Sequence, residues 1–136
     1  MYLYDIVILT EERYINPKIK NWYIDQVLLE DTLLLNALEK YKLKVCRRNW
    51  ADKKFDFSKC RYAIFRTTWD YFDRFNEFFS WIEKTKKHTK FINSADIINW
   101  NIDKHYLKDL KNKNINIAKT EFIEKNTKIS LIELLE

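Results

Sequence analysis

The chain contains no glycine among its 136 residues, where average usage of about 7% would give roughly nine or ten. The P-loop and the GxGxxG turn need backbone that approaches phosphate without an intervening Cβ atom. Both glycine-rich nucleotide cradles are therefore excluded from this chain. Pro17 is the single proline, which also excludes collagen-like and polyproline II segments.

The composition is that of one globular domain with a modest basic excess. Hydrophobic residues make up 46% and aromatic residues 16% of the chain, which argues against disorder. The net charge is +5 and the pI is about 9.1, so an anionic partner such as nucleotide, nucleic acid or acidic lipid is permitted. The lysines are spread among acids, and the abundance of Lys, Asn and Ile indicates a compositional bias of the source.

The cysteines and histidines form no metal-binding pattern. Cys46 and Cys60 lie in apolar-leaning contexts without zinc spacing, and His88 and His105 add no ligand cluster. We therefore expect two reduced structural thiols. No stretch reaches the roughly 18 apolar residues of a membrane span, and the N-terminus lacks the basic region of a signal peptide. A cytoplasmic protein without a membrane partner is expected.

The hydrophobic pattern predicts alternating strands and helices. Short β-branched or alternating runs predict strands at residues 4–10, 43–47, 61–67, 89–92 and 118–123. Helical periodicity predicts helices at residues 25–41, 73–86 and 102–112, a helical turn at 95–98 and a helix that begins at 129. This alternation predicts an α/β fold, in which a parallel sheet is flanked by helices.

The second predicted helix, at residues 73–86, has an aromatic side and a candidate cap. Its apolar residues on one side are Phe75, Phe78, Phe79 and Ile82. Asp70 or Asp73 is placed to cap its start, since a carboxylate there accepts from free backbone N–H groups.

Ligands of parallel sheets gather beyond the carboxyl ends of the strands. The positions just after predicted strands are residues 10–13, residues 66–70, Asn93 and Ser94. Among them, Arg66 stands near the end of the predicted strand at 61–67 and is followed by two hydroxyl residues, Thr67 and Thr68. Its guanidinium is placed to bind a carboxylate or a phosphate. The alternative interpretation of residues 66–71 is core packing by the aromatic residues and helix capping by the aspartate.

Lys104 is the second candidate for contact with an anion. It falls in the first turn of the predicted helix at 102–112, where the helix dipole disfavours a cation. A cation in that position indicates an anion facing it. The alternative is a solvated surface lysine.

Two separated motifs carry a family resemblance. The first consists of Arg66, Trp69, Asp70, Tyr71, Arg74, Phe75, Glu77, Phe78 and Trp81. The second consists of Asn93, Trp100, Asn101, Asp103, Lys104, Tyr106 and Leu107, with Thr120 further along the chain. Together they resemble the N-terminal part of ATP-grasp enzymes of the glutathione synthetase-like group.

The resemblance implies a Rossmann-like pre-ATP-grasp domain over residues 1–100. Residues 101–136 would then be a linking helix and the incomplete start of the ATP-grasp N-terminal subdomain. The implied function is that of the substrate-side domain of an ATP-dependent carboxylate–amine ligase, which activates a carboxylate as an acyl phosphate before the amine attacks. The implied partners are small carboxylate and amine substrates and the missing ATP-grasp domain of the same protein.

The resemblance assigns a role to Lys104, and position at the carboxyl ends of predicted strands assigns roles to four further residues. Lys104 would contact nucleotide phosphate as a point charge. Arg66, Thr67, Thr68 and Asn93 would line the substrate crevice. ATP and magnesium would serve the full-length protein, and we expect neither to bind this chain tightly. No residue of this chain is expected to be catalytic or to bind a metal.

Several features of the family pattern are missing. After Thr120 there is no second lysine-bearing strand, adenine-binding hinge, glycine-rich loop or carboxylate set for magnesium. We therefore expect a fragment that does not turn over alone, with residues 118–136 poorly packed. Lys42 stands where the family has a glycine after the first helix, and Ala51 and Phe57 replace an aspartate and a tryptophan.

Two non-catalytic alternatives stay open. One is a basic, aromatic-rich nucleic-acid binder, although most aromatic residues stand at core-like spacing and nucleic acid is not the expected partner. The other is an interaction module, which covers an exposed apolar face with a protein partner or a second copy of the chain. A downstream reading frame that encodes a glycine-rich ATP-grasp core would favour the ligase over both.

Overall fold

The computed structural model describes residues 1–135, except for the side chain of Leu135. The strands are β1 (Tyr4–Thr10), β2 (Val45–Asn49), β3 (Cys60–Thr67) and β4 (Lys90–Ile92). The helices are α1 (Trp22–Lys40), α2 (Phe75–Thr85), α3 (Ala95–Asn101), α4 (Tyr106–Asn112) and α5 (Leu131–Leu135). Short 3-10 turns lie at Glu12–Tyr14, Phe57–Lys59 and Trp69–Tyr71.

The strands of the described residues form one parallel sheet in the order β2-β1-β3-β4. β1 pairs with a neighbour on each side, and its residues 6–10 are all buried. A parallel strand that is covered on both faces has this near-continuous apolar character. The predicted α/β fold, with a parallel sheet flanked by helices, is confirmed.

An aromatic cluster packs α2 onto the sheet. The Phe65 ring of β3 lies 5.7 Å from the ring of Phe78 and 5.1 Å from the ring of Phe91. Trp50, which follows β2 and is fully buried, meets Phe78 edge-on at 4.9 Å. Edge-to-face contacts at these distances suit the charge distribution of aromatic rings, so the cluster gives α2 a defined position.

Helix α2 differs from its prediction in its apolar face and in its start. Of the predicted apolar side, Phe78 and Ile82 are buried, whereas Phe75 and Phe79 are exposed. Arg74 occupies the N-cap position, and no side chain caps the helix. The expectation that Asp70 or Asp73 caps α2 is therefore wrong. The Asp70 carboxylate accepts hydrogen bonds from other side chains instead.

Two helices begin at different residues from those predicted. α1 begins at Trp22 rather than at 25, because the Asn21 side chain accepts a hydrogen bond from the Ile24 N–H at 2.9 Å. Asparagine is among the best N-cap residues. α4 begins at Tyr106 rather than at 102, so Lys104 lies in the turn before the helix and not in its first turn.

The strand predicted at residues 118–123 does not form in the described chain. This segment has no regular structure and pairs with none of the strands. Its Phe122 ring stacks on His105 at 4.6 Å, and Lys108 Nζ lies 4.4 Å from the centroid of the same ring. The segment thus packs beside α4 through its side chains.

The chain divides into two compact units, Met1–Asn99 and Trp100–Glu136. In the second unit Ile123 and Leu131 are 50% and 71% exposed, in agreement with the predicted poor packing. Glu136 and the Leu135 side chain, which that prediction also covered, lie outside the described residues. Within residues 1–135, none of the helices combines the length and the hydropathy that a membrane span requires.

Lys42 adopts a left-handed backbone conformation just after α1, with φ at 61°. Its N–H donates to the Glu39 carbonyl at 2.8 Å, and glycine is the usual residue at such a helix end. A residue with a Cβ atom is disfavoured in this conformation by about 1 kcal/mol. We expect Lys42→Gly to raise the free energy of unfolding by about 1 kcal/mol in urea denaturation followed by circular dichroism.

The matched control for this prediction is Lys42→Ala. It removes the same charge but keeps the Cβ atom, so we expect it to give no gain. An equal gain in the two variants would show that the lysine charge, and not the backbone conformation, is unfavourable.

Candidate functional site

The carboxyl ends of β1 and β3 meet at the middle of the sheet. In the order β2-β1-β3-β4 the chain goes from β1 first to one neighbour and then to the other, so the topological switch point lies between β1 and β3. Thr10 and Thr67 occupy this point. Their hydroxyls are hydrogen-bonded to each other, and both side chains are buried. The Glu11 N–H also joins the ends of β1 and β3, because it donates to the Thr67 carbonyl at 2.9 Å.

An ion pair with a buried carboxylate lies next to the Thr10 hydroxyl. Asp31 of α1 is 1% exposed, and its Oδ2 accepts a hydrogen bond from Arg47 Nε of β2 at 2.5 Å. Arg47 also donates to the Tyr14 carbonyl and, at 3.3 Å, to the Thr10 hydroxyl. One guanidinium therefore connects α1, β2, the end of β1 and the turn that follows β1.

Arg66, predicted to bind substrate, faces the acids of α1. Its Nη2 donates to Glu30 Oε2 at 2.8 Å, and its Nε lies 3.7 Å from Asp31 Oδ1. That Asp31 oxygen is buried without a hydrogen-bond partner among the described residues, since 3.7 Å exceeds hydrogen-bonding distance. The Arg66 side chain is 35% exposed, and a guanidinium has five donors, so it retains donors for a ligand.

The 3-10 turn after β3 is hydrogen-bonded to Trp50, the residue that follows β2. Trp50 Nε1 donates to Asp70 Oδ1 at 2.7 Å, and Arg74 Nη1 donates to Asp70 Oδ2 at 2.9 Å. The Arg74 guanidinium lies 4.6 Å from the centroid of the Trp50 ring, a cation–π distance. Thr68, which is buried, begins this turn, and its hydroxyl does not cap it. The turn is held by Asp70, and the Thr68 hydroxyl is left for other contacts.

A second buried carboxylate follows β1. The Glu11 side chain is 2% exposed, and its Oε1 accepts from Arg13 Nη2 at 2.6 Å. This hydrogen bond raises the pKa of Arg13 above its ordinary value. Tyr14 is also buried, and the burial raises the pKa of its hydroxyl. In the 10–13 segment predicted to face ligands, Glu11 and Arg13 bond to each other, Thr10 bonds to Thr67, and Glu12 accepts from Asn49.

The other two predicted site residues, Asn93 and Lys104, are exposed. Asn93 follows β4, beside the carboxyl end of β3, and is exposed. Lys104 is exposed in the second unit, and its Nζ lies 5.6 Å from the centroid of the Tyr106 ring. The dipole argument for Lys104 fails, because the residue precedes α4 and does not belong to its first turn.

The described residues alone do not fit magnesium or ATP. No group of three or more His, Cys, Asp or Glu side chains in residues 1–135 is arranged to hold a metal ion, and the sequence has no glycine with which to build a phosphate cradle. Cys46 and Cys60 are free and buried, as predicted. A hydrogen bond with Cys46, together with burial, raises the pKa of the Cys60 thiol.

Residues 6–93 match the family model described as "D-cycloserine synthetase DcsG, N-terminal domain". The chain belongs to this family. The matched range contains β2, β3, β4, residues 6–10 of β1, and the cluster around Thr10, Thr67 and Asp31. Membership of the DcsG N-terminal domain family confirms the coarser part of the resemblance, that of an N-terminal domain from a ligase-like protein.

Two relatives illustrate the DcsG family match. The chain is 29% identical over 80 residues to the cycloserine biosynthesis protein DcsG of Streptomyces lavendulae, which covers 59% of this chain and 26% of that protein. The crystal structure of D-cycloserine synthetase DcsG matches with a TM-score of 0.67 at 22% identity, over 80% of this chain and 33% of that chain. The latter likeness establishes the fold. The chain spans between about a quarter and a third of the length of these two proteins.

Sequence interpretation did not assign two buried members of the site, Asp31 and Trp50. The sequence does contain a sign that Asp31 is buried. The residue lies within an apolar stripe at helical spacing, which is formed by Val27, Leu28, Leu34 and Leu35. A carboxylate in the middle of an apolar stripe needs a buried partner. Trp50 has no comparable signal, since its partner Asp70 is 20 residues away and nothing in the spacing links the two.

Proposed function

We propose that this chain is the substrate-side N-terminal domain of an ATP-dependent carboxylate–amine ligase of the glutathione synthetase-like ATP-grasp type. The observation that carries the proposal is the match of residues 6–93 to the N-terminal domain of a synthetase family. The matched range contains all of the sheet except the first two residues of β1, and it includes the switch point, where open α/β sheets bind ligands. The sequence resemblance in residues 66–81 and 93–107 adds the ATP-grasp assignment.

In this proposal the first 100 residues form the pre-ATP-grasp domain and provide one wall of the substrate crevice. Arg66 supplies a partly exposed cation for a substrate carboxylate, since Glu30 and Asp31 engage only some of its donors. The hydroxyl of Thr68 and the amide of Asn93 supply polar contacts nearby. Thr67 acts as a positioning residue, because its hydroxyl is bonded to Thr10 and is buried.

ATP and magnesium belong, in this proposal, to an ATP-grasp domain that is the partner of this chain. ATP supplies the phosphoryl group that activates the carboxylate in such ligases. Residues 101–136 form the link to that domain, and Lys104 contributes one contact to a phosphate. We expect this chain alone to bind ATP weakly and to catalyse no reaction, since its own residues fit neither ATP nor magnesium.

The test is a titration of the full chain followed by amide shifts in two-dimensional NMR. D-serine, which carries a free carboxylate, and D-cycloserine, the compound in the name of the matched relative, serve as probes. We expect both probes, at millimolar concentration, to shift the amides of Thr67, Thr68 and Asn93. We expect magnesium–ATP to leave these amides unchanged.

Thr68→Val is the informative variant, and Thr127→Val is its matched control. Thr127 is exposed in the second unit, so its replacement should leave the titration unaltered. Removal of the Thr68 hydroxyl should weaken probe binding by about fivefold, the worth of one neutral hydrogen bond. Shifts caused by a short single-stranded RNA, with none caused by either amino-acid probe, would contradict the proposal and favour the nucleic-acid alternative.

A further inference from the structure

An open groove lies on the far side of β1 from the switch point. Its volume is about 660 Å³, and it adjoins the carboxyl end of the edge strand β2. The residues that line it are Glu12, Ile15, Arg48, Asn49, Ala51, Asp52, Lys53, Lys54 and Phe55. Apart from Glu12, which lies in the 10–13 segment after β1, none of these residues belongs to the segments predicted to face ligands, so the groove is separate from the switch point between β1 and β3.

The two acids of this groove are engaged by neutral donors. Asn49 Nδ2 donates to Glu12 Oε2 at 2.8 Å. The Lys54 backbone N–H donates to Asp52 Oδ1 at 2.9 Å. These hydrogen bonds hold both carboxylates without an ion pair to a cation of the groove, and three cations against two acids leave the groove a formal net charge of +1.

The three cations of the groove form no ion pair within residues 1–135. Arg48, Lys53 and Lys54 make no salt bridge with any described carboxylate. Arg48 is also held in place: its Nη1 donates to the Arg47 carbonyl at 2.9 Å, and its guanidinium lies 4.9 Å from the centroid of the Phe55 ring. A guanidinium fixed in this way loses less side-chain freedom when it meets an anion.

We propose that this groove binds a small organic anion, a carboxylate or a phosphate monoester attached to a flat apolar group. Arg48 is the fixed donor to the anion, and the two lysines add positive charge from the loop after β2. Phe55 and Ile15 provide apolar surface for the flat group. The proposal goes beyond the function proposed above and does not depend on it.

The test uses phenyl phosphate and benzoate as separate probes, titrated into the full chain in two-dimensional NMR. We expect one or both to shift the amides of residues 48–55, with inorganic phosphate binding more weakly because it lacks the ring. The stronger of the two probes identifies whether the natural anion is a phosphate ester or a carboxylate. The amides of Thr67 and Thr68 should not move, which separates this result from that of the switch-point titration.

Arg48→Gln and Arg61→Gln form a matched pair of variants. Arg61 is exposed on β3 and also lies over an aromatic ring, with 5.3 Å to the Tyr62 centroid, so both changes remove one arginine charge beside a ring. Arg48→Gln should weaken binding about tenfold or more, as expected for a charge-assisted hydrogen bond, and Arg61→Gln should leave it unchanged. Lys53→Gln and Lys54→Gln change exposed residues, and each should weaken probe binding by a smaller factor of about three. These two variants test the proposal independently if Arg48→Gln folds poorly.

Three results would overturn the proposal. The first is the absence of any shift in residues 48–55 with either aromatic probe. The second is an equal loss of affinity in Arg48→Gln and Arg61→Gln, which would indicate non-specific attraction to a basic protein. The third is stronger binding of inorganic phosphate than of phenyl phosphate, which would remove the role of the apolar surface.

Discussion

An Asp31→Asn variant is expected to lose about 3–5 kcal/mol of unfolding free energy, because it removes the negative member of a buried ion pair. Asp31 is 1% exposed, and its partner Arg47 has a side chain that is only 16% exposed. Asparagine has nearly the same shape but carries no charge. The Arg47 guanidinium would keep its bonds to the Tyr14 carbonyl and the Thr10 hydroxyl but would be buried without a counter-ion.

The matched control is Glu30→Gln in the neighbouring position of α1. Glu30 also bonds an arginine, Arg66 at 2.8 Å, but its side chain is 67% exposed. Water screens such a pair, so we expect its removal to change the unfolding free energy by at most about 1 kcal/mol. Urea denaturation followed by circular dichroism measures both variants, and equal losses in the two would refute the special importance of the buried pair.

The alternation of strand and helix patterns was sufficient to predict the α/β fold. β1 matches its predicted range of residues 4–10 at both ends, because a run of β-branched and leucine side chains reports directly on burial in a parallel sheet. The boundaries of α1 and α4 were less accurate. For α1 the helical periodicity predicted a start at residue 25, whereas the Asn21 cap sets the start at Trp22.

The strand predicted at residues 118–123 shows what local pattern cannot supply. A β-strand exists only when another strand pairs with it, and no described strand pairs with this segment. Phe122 packs against His105 instead. Sequence alone records the preference of a segment for extended backbone but not the presence of a neighbour.

The sequence predicted where the candidate site lies in the fold, but not which side chains contact each other there. Thr67 lies at the carboxyl end of β3, as predicted, because alternating strands and helices imply parallel strands whose carboxyl ends share one edge of the sheet. The partners of each side chain are long-range: Arg66 faces Glu30, 36 residues away, and Trp50 faces Asp70. These contacts depend on how α1 and the turn after β3 lie on the sheet, which the spacing of residues does not encode.

Trp50→Ala is expected to lose about 3–5 kcal/mol of unfolding free energy, as for other buried tryptophans replaced by alanine. Trp50 is fully buried, and its ring meets Phe78 at 4.9 Å and Trp81 at 6.0 Å. The variant leaves a cavity between the end of β2 and α2. It also deprives Asp70 of the indole donor at 2.7 Å.

Two further variants separate these contributions in urea denaturation followed by circular dichroism. Trp22→Ala is the matched control, because Trp22 is 76% exposed, and it should change the unfolding free energy by no more than about 0.5 kcal/mol. Trp50→Phe keeps an aromatic ring in the cluster but removes the N–H, so it should lose about 1–3 kcal/mol by leaving one Asp70 oxygen unpaired. A loss in Trp50→Phe as large as that in Trp50→Ala would assign the stabilisation to the hydrogen bond with Asp70 and not to the packing of the ring.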